Sequence, residues 1–332
     1  MAYTIFITAS ALHPKGASVL EAAGCRLIYL DAGGGEAAVD HIMAANQIDA
    51  VISRTVTLSA RAIASCPSLK VISKHGVGVS NIDVAAATAR NIPVFVTPGA
   101  NAQSVAEMAL GLMLACARKI AWMDAEIKDG RWSRAQDGLE LSGRTLGLVG
   151  FGQIGQRLAK ACLALGMNVA AYDPGYGSVA PMDGIYMVGS VDELLPVCDV
   201  LSLHVPLNAH TRGLIDAGAF AKLPDQAILI NTARGEVVDE AALISALKGG
   251  RLFAAGLDTT ADEPILPDNE LLKLANVVLT PHVGGSTPAA LAEMAKSAAE
   301  NVLGFLKGEP PPKSACVNPE TIPSIKEYFH ER

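Results

Sequence analysis

The chain has 332 residues, 26 Lys+Arg against 33 Asp+Glu, and a formal net charge of −7. At roughly 100–200 residues per domain, that length predicts two domains, each able to bury its own core. The mildly acidic balance, with no basic stripe, argues against nucleic acid or an anionic membrane as the main partner.

The opening MAYTIFITASALHPKG has no basic n-region and no apolar h-region with a cleavage site, so no leader is expected. Short β-branched runs then alternate with Ala/Leu-rich stretches, the pattern of a parallel α/β architecture. Strands are predicted at Thr4–Thr8, Arg26–Leu30, Ala50–Ser53, Val71–Ser73 and Val94–Val96. Ser104-Val-Ala-Glu107 reads as a capping box opening a helix that carries Val105, Met108, Ala109, Leu112 and Cys116 at helical spacing. This helix is expected to connect two domains. Its apolar run, Val105–Ala117, is broken by Glu107 and closed by Arg118-Lys119, short of the ~18–20 apolar residues a membrane span needs.

A second series begins at Thr145–Val149 and continues near Asn168–Tyr172, Val200–Leu203, Ala227–Asn231, Phe253–Leu257 and Val277–Thr280. Thr287 is placed to cap a last helix with Pro288 at its first position, and Gly308 to stop it. The tail to Arg332 is expected to pack back on the first domain. Cys25, Cys66, Cys116, Cys162, Cys198 and Cys316 form no C-x-x-C. They read as reduced thiols of a cytoplasmic chain without a metal site.

Gly150-Phe-Gly152-Gln153-Ile154-Gly155 follows a strand and opens a helix. That context suits a dinucleotide: the first glycine allows a tight turn, the second a close approach of pyrophosphate, the third close helix–strand packing. The helix N-terminus offers unpaired N–H groups to the phosphates. Asp173, 18 residues after Gly155, ends the next strand and is not followed by Lys or Arg in Pro174–Gly177. A carboxylate there accepts ribose hydroxyls and repels a 2′-phosphate, favouring NAD over NADP. Gly76-Val77-Gly78 also follows a strand, but Asn81 stands where a third glycine would be. This segment reads either as a nest of N–H groups for a small anion or as an ordinary glycine-rich turn.

Late strands are followed by Thr232-Ala233-Arg234, by Asp258 and then Glu263, and by His282-Val-Gly284-Gly285. Ligands of open parallel sheets sit beyond the carboxyl ends of the strands, so these residues are expected to converge near Gly150–Gly155. Arg54 and Lys74 end strands of the first domain in the same way. The set suits oxidation of an α-hydroxy acid: an imidazole as base, a carboxylate to orient it, and a guanidinium fork for the substrate carboxylate. Each also has a plainer reading: Arg234 as a turn tie, Glu263 as a solvated acid, His282 as a core histidine. His204, ahead of Val205-Pro206, is read as structural or cofactor-lining. His75 stays ambiguous, while His13, His41, His210 and His330 read as surface residues.

The runs KHGVGVSNID (Lys74–Asp83), NAQSVAEMALGLMLACAR (Asn101–Arg118), LGLVGFGQIGQRLA with YDP, NTARGEVVDE (Asn231–Glu240) and TPHVGGST (Thr280–Thr287) together resemble the D-isomer-specific 2-hydroxyacid dehydrogenases. The resemblance implies two doubly wound parallel sheets, a Rossmann NAD-binding domain inserted in a flavodoxin-like substrate domain. The boundaries are then residues 1–99, 100–287 and 288–332. It also implies Arg234, Glu263 and His282 as the catalytic three, and NAD contacts from Gln153, Ile154, Asp173, Val205, Thr232, Asp258 and 282–285. Arg54, Lys74, Gly76, Val77 and Gly78, with Arg234 and His282, would hold a small anionic substrate of the 3-phosphoglycerate kind. Hydroxypyruvate and glyoxylate reductases share most of these motifs. Formate dehydrogenases of the same superfamily carry Gln where Glu263 stands. A homodimer is implied; Arg131 and Arg134, on the arm after the connecting helix, are candidates to add charge from a dimer mate, and the sequence leaves open whether they reach a neighbouring active site. A different reading, an NAD(H)-sensing binding protein like the family's corepressors, would need only the nucleotide site.

Overall fold

The computed structural model describes residues 2–134, 138–176 and 182–322; His330 and Gly177 lie outside the described residues. In chain order the elements are β1 Thr4–Ile7, α1 Pro14–Ala22, β2 Arg26–Tyr29, α2 Glu36–Ala45, β3 Ala50–Ser53, α3 Ala60–Ser65, β4 Val71–Lys74, α4 Val84–Ala89 and β5 Val94–Phe95. Next come α5 Ala102–Ala117, α6 Ile120–Lys128, β6 Thr145–Val149, α7 Gln153–Ala164, β7 Asn168–Tyr172 and β8 Ile185–Met187. The chain continues through α8 Val191–Leu194, β9 Val200–Leu203, α9 Ala217–Lys222, β10 Ala227–Asn231, α10 Glu240–Lys248, β11 Leu252–Leu257, β12 Val277–Leu279 and α11 Pro288–Leu306. Two compact units result: Met1–Asn101 with Thr287–Arg332, and Ala102–Ser286.

In the first unit five parallel strands run in the order β2-β1-β3-β4-β5, the flavodoxin-like order. Successive β1 side chains point to opposite faces, so Phe6 enters one apolar cluster with Val39, Met43 and Ile72. Ile5 and Ile7 enter another with Leu20, Ala295 and Val302. Both faces are covered, as all-parallel sheets require. α11 closes the second face. Its start is set by the Thr287 side chain, which accepts a hydrogen bond from the Ala290 amide, and by Pro288 in its first turn.

The second unit is a seven-stranded parallel sheet in the order β12-β11-β10-β9-β6-β7-β8, in which the order of successive strands reverses between β6 and β9. Along β10, Ala227 and Leu229 enter one core cluster and Ile228 and Ile230 the other. Edge strand β8 was not foreseen in sequence, because three residues are too few to show a period.

The capping box is corrected. α5 already begins at Ala102 and lies wholly in the second unit. Ser104 is a buried third residue of the helix, and Glu107 accepts from Gln103 Nε2 at 2.8 Å. Local pattern placed the cap three residues late, at Ser104 rather than at the residue before Ala102, because Ala102 and Gln103 are compatible with the helix interior.

Candidate active site

One row of backbone positions locates the second unit's chemistry. Val149, Leu203, Asn231, Leu257 and Leu279 are register partners across β6, β9, β10, β11 and β12. At ~4.8 Å per strand the row spans about 19 Å. The residues immediately beyond it are Gly150, His204, Thr232, Asp258 and Thr280.

At the β6 end, Gly150 adopts φ 96°. A Cβ there would sit 2.5 Å from the His204 carbonyl oxygen, so only glycine fits both the backbone angle and the space. Gly152 caps α7 without a side-chain acceptor for the first-turn amides, leaving these donors for a ligand. Gly155 lies over the Gly150 carbonyl. Asp173 Oδ2 accepts the Phe151 amide at 2.8 Å and Oδ1 the Gly175 amide at 2.8 Å. Each oxygen retains a lone pair for a hydroxyl group. His204 pairs through Nε2 with Ser202 Oγ at 2.9 Å, while its Nδ1 and the Thr232 hydroxyl are buried without a partner among the described residues. Burial pushes the His204 imidazole down to about 4, so it is neutral near pH 7. Orphaned polar atoms at two strand ends beside open helix amides fit a dinucleotide well. Val205 packs against Gly150, and the Pro206 carbonyl accepts from Thr211 Oγ1 at 2.6 Å.

At the other end of the row, His282 Nδ1 lies 2.7 Å from Glu263 Oε2. Burial alone would raise the Glu263 carboxyl. The His282 hydrogen bond and charge, the Thr260 amide and the Arg234 charge outweigh it and hold the group below its ordinary value. Arg234 is brought near by a backbone approach. Gly235 leaves no room for a Cβ against the Thr260 carbonyl, so the two loops touch main chain to main chain. The Asn231 side chain fixes that turn, donating to the Arg234 carbonyl at 2.8 Å and accepting the Ala233 amide at 3.0 Å. His282 itself has φ 53°. Its loop is held by Asp258, whose Oδ1 accepts from Thr280 Oγ1 at 2.6 Å and the Val283 amide at 2.9 Å. Oδ2 accepts the Gly284 amide at 2.8 Å, and the Asp258 carbonyl accepts the His282 amide at 2.8 Å. Asp258, anticipated as a cofactor contact, thus also builds the loop that carries His282 and Gly284-Gly285.

In the first unit, Arg54 and His75 follow β3 and β4. Arg54 is half-buried, and removal from water lowers its pKa. Its guanidinium has no hydrogen-bond partner among the described residues. Lys74 departs from its expected role at the substrate: its side chain is buried, and its ammonium donates to the Arg54 carbonyl and, at 2.5 Å, to Asn81 Oδ1. The Gly76 nest is also smaller than expected, because the Gly76 amide donates to Thr97 Oγ1 at 3.1 Å. That leaves the amides of Val77 and Gly78. His75 is buried, and burial with the neighbouring Arg54 charge pushes it down to about 4. Sequence reading missed Asn81, Thr97, Ser202 and Thr280, since ordinary polar residues carry no local signal of such partners. Arg131 is paired with Glu126 and, at 3.0 Å, with Asp129 on its own chain; Arg134 is exposed. His41 and His210 are exposed, whereas His13 is half-buried and accepts the Lys15 amide. Among the described residues no His/Cys/Asp/Glu cluster could hold a metal, and no helix is long and apolar enough to cross a membrane.

Residues 110–284 match the sequence model of a family described as D-isomer specific 2-hydroxyacid dehydrogenase, NAD binding domain. The chain belongs to this family. The cofactor of its second unit is NAD. D-3-phosphoglycerate dehydrogenase of Archaeoglobus fulgidus is 45% identical over 284 residues, covering 85% of this chain and 54% of that protein. Hydroxypyruvate reductase of Thermotoga maritima is 45% identical over 249 residues, 74% of this chain and 80% of the relative. The chain therefore spans about half the length of the phosphoglycerate dehydrogenase it matches. Among solved structures, a glyoxylate reductase from Paecilomyes thermophila superposes with a TM-score of 0.86 at 30% identity, covering 96% of this chain and 99% of that one.

Proposed function

We propose that the protein is an NAD-dependent enzyme that interconverts a D-2-hydroxy acid and its 2-oxo acid. The observation that carries the proposal is the His282–Glu263 pair, with the Arg234 charge beside it, at the same sheet edge as the glycine-rich turn. In this reading Arg234 grips the substrate carboxylate through its planar fork and polarises the C2 oxygen. His282 takes the hydroxyl proton in oxidation and returns it to O2 in reduction. Glu263 fixes the imidazole through Nδ1 and stabilises its protonated form. NAD, when bound, supplies the hydride chemistry. Its contacts are assigned to Gly150, Gly152, Gln153, Ile154 and Gly155 at the turn, and to Asp173 at the ribose. His204, Val205, Pro206, Thr232, Ala233, Asp258, Gly284 and Gly285 complete the set. The substrate contacts proposed in the first unit are Arg54 and the amides of Val77 and Gly78.

A substrate with a second anion, of the 3-phosphoglycerate kind, accords with the Archaeoglobus relative. One observation favours the hydroxypyruvate or glyoxylate reductase reading instead: the internal partners of Lys74 leave Arg54 as the one of these two strand-end cations without a side-chain partner among the described residues. Steady-state NADH oxidation with 3-phosphohydroxypyruvate, hydroxypyruvate, glyoxylate and bulkier 2-oxo acids decides between them through kcat/KM. NADH binding without turnover of any of these would instead favour a nucleotide-sensing protein. We further assign a homodimer in the cytoplasm. Support for the dimer comes from α6, which buries none of its residues and exposes Ile120 and Ile127, followed by Trp132 at 74% exposure. Size-exclusion chromatography with light scattering tests it.

A further inference from the structure

Asn81 makes hydrogen bonds that no local sequence pattern announces. Its Nδ2 donates to Ser53 Oγ at 3.1 Å, to the Arg54 carbonyl at 3.1 Å and to the Val56 carbonyl at 2.9 Å. Its Oδ1 accepts from Lys74 Nζ, which also donates to the Arg54 carbonyl. The Arg54 amide is held from the other side by Thr8 Oγ1 at 2.8 Å. Arg54 therefore projects from a main chain tied at its N–H, at its C=O and on both flanks, while its own half-buried guanidinium has no partner among the described residues. Fixing a backbone this firmly around an uncompensated cation is the arrangement expected where the cation must meet an anion in one geometry.

We propose that Lys74 and Asn81 are positioning residues for Arg54: they set the guanidinium's place for the substrate's anionic substituent without touching the substrate. The inference rests on the two-anion, 3-phosphoglycerate branch of the functional reading above and deepens it by giving the second anion one cationic ligand, Arg54, rather than two. A direct cation at residue 74 and a positioning one differ in how their effects combine with loss of Arg54. Residues acting through one another are not additive, whereas two independent ligands multiply.

The test is a pair of double-mutant cycles, Lys74→Met and Asn81→Ala, each alone and in an Arg54→Ala background. They are assayed with NADH and 3-phosphohydroxypyruvate, with glyoxylate as the substrate lacking a second anion. Each single change is expected to raise KM for 3-phosphohydroxypyruvate by about tenfold with kcat within about threefold. In the Arg54→Ala background each should add less than about twofold. Asn81→Ala removes no charge, so its effect cannot be a lost Coulombic attraction, and it decides alone if Lys74→Met does not fold. A further tenfold loss from Lys74→Met on top of Arg54→Ala, or an unchanged KM in the single variants, would overturn the inference. Wild-type turnover of no 2-oxo acid would remove the functional reading along with it, whereas turnover of glyoxylate with no advantage for 3-phosphohydroxypyruvate would overturn the inference and leave that reading standing. Turnover with a KM indifferent to Lys74 and Asn81 removes this inference alone.

Discussion

The imidazole Nδ1 of His282 and the carboxylate Oε2 of Glu263 lie 2.7 Å apart, on loops that follow different strands of one parallel sheet. The contact leaves Nε2 as the free ring nitrogen. It also makes Glu263 the group that fixes the ring's orientation. His282→Ala should lower kcat by about 10²–10⁴-fold, the usual range for a general acid–base group, while the Kd for NADH stays within a few-fold. Glu263→Gln should reduce kcat less, by about tenfold or more, because the hydrogen bond survives without the charge. Rapid-mixing and fluorescence titration measure both, and near wild-type kcat in His282→Ala would take His282 out of the mechanism.

Asp258 is 2% exposed, and its carboxylate accepts three hydrogen bonds from the Thr280–Gly284 loop. In Asp258→Asn one oxygen becomes an NH₂ facing donors, leaving buried N–H or O–H groups unmatched at about 1–3 kcal/mol. The expected result is a lower Tm together with a kcat loss of about tenfold or more, since the His282 loop shifts. A variant with unchanged Tm would mean the loop is held by other contacts.

Gly150→Ala combines a φ of 96° with a Cβ 2.5 Å from the His204 carbonyl. The turn must open, so NADH affinity should fall by about tenfold or more, with a destabilisation of about 1–3 kcal/mol. Urea unfolding and NADH titration read the two effects separately.

Asp173 accepts two backbone amides while leaving a lone pair on each oxygen for a ribose. Asp173→Ala should weaken NADH by about tenfold or more and NADPH by less, because the repulsion of a 2′-phosphate is lost along with the ribose acceptor. An unchanged NADH/NADPH preference would place ribose recognition elsewhere.

Two buried imidazoles, His75 and His204, are pushed from 6.5 down to about 4. Burial is the main cause for both, with the Arg54 charge added at His75. Between these values the unfolded chain binds more protons than the folded one, so stability falls as pH drops from about 6.5 to about 4 and is complete above 6.5. Urea midpoints at pH 7, 6 and 5 should decline. A His75→Gln variant should flatten the decline, and an equally steep one in that variant would assign it to other groups.

The sequence by itself determined the strand series, the dinucleotide turn at Gly150–Gly155 and the candidate trio of Arg234, Glu263 and His282. Strand periodicity, glycine placement and rare polar residues after apolar runs are local signals, because a backbone's own sterics and a strand's alternation act over a few residues. Tertiary structure alone decided who partners whom. Lys74 and Arg54 look alike in sequence, each a cation closing a strand. Only the packing of the Ser53–Val56 loop against Asn81 shows that one ammonium is consumed inside the unit while the guanidinium has no partner among the described residues. Asp258 is likewise a strand-end acid in sequence, and its hold on the 280–284 loop appears only when β11 and β12 lie side by side. A hydrogen bond between residues 20 positions apart has no imprint on either neighbourhood; it exists because the sheet brings two strand ends within 5 Å.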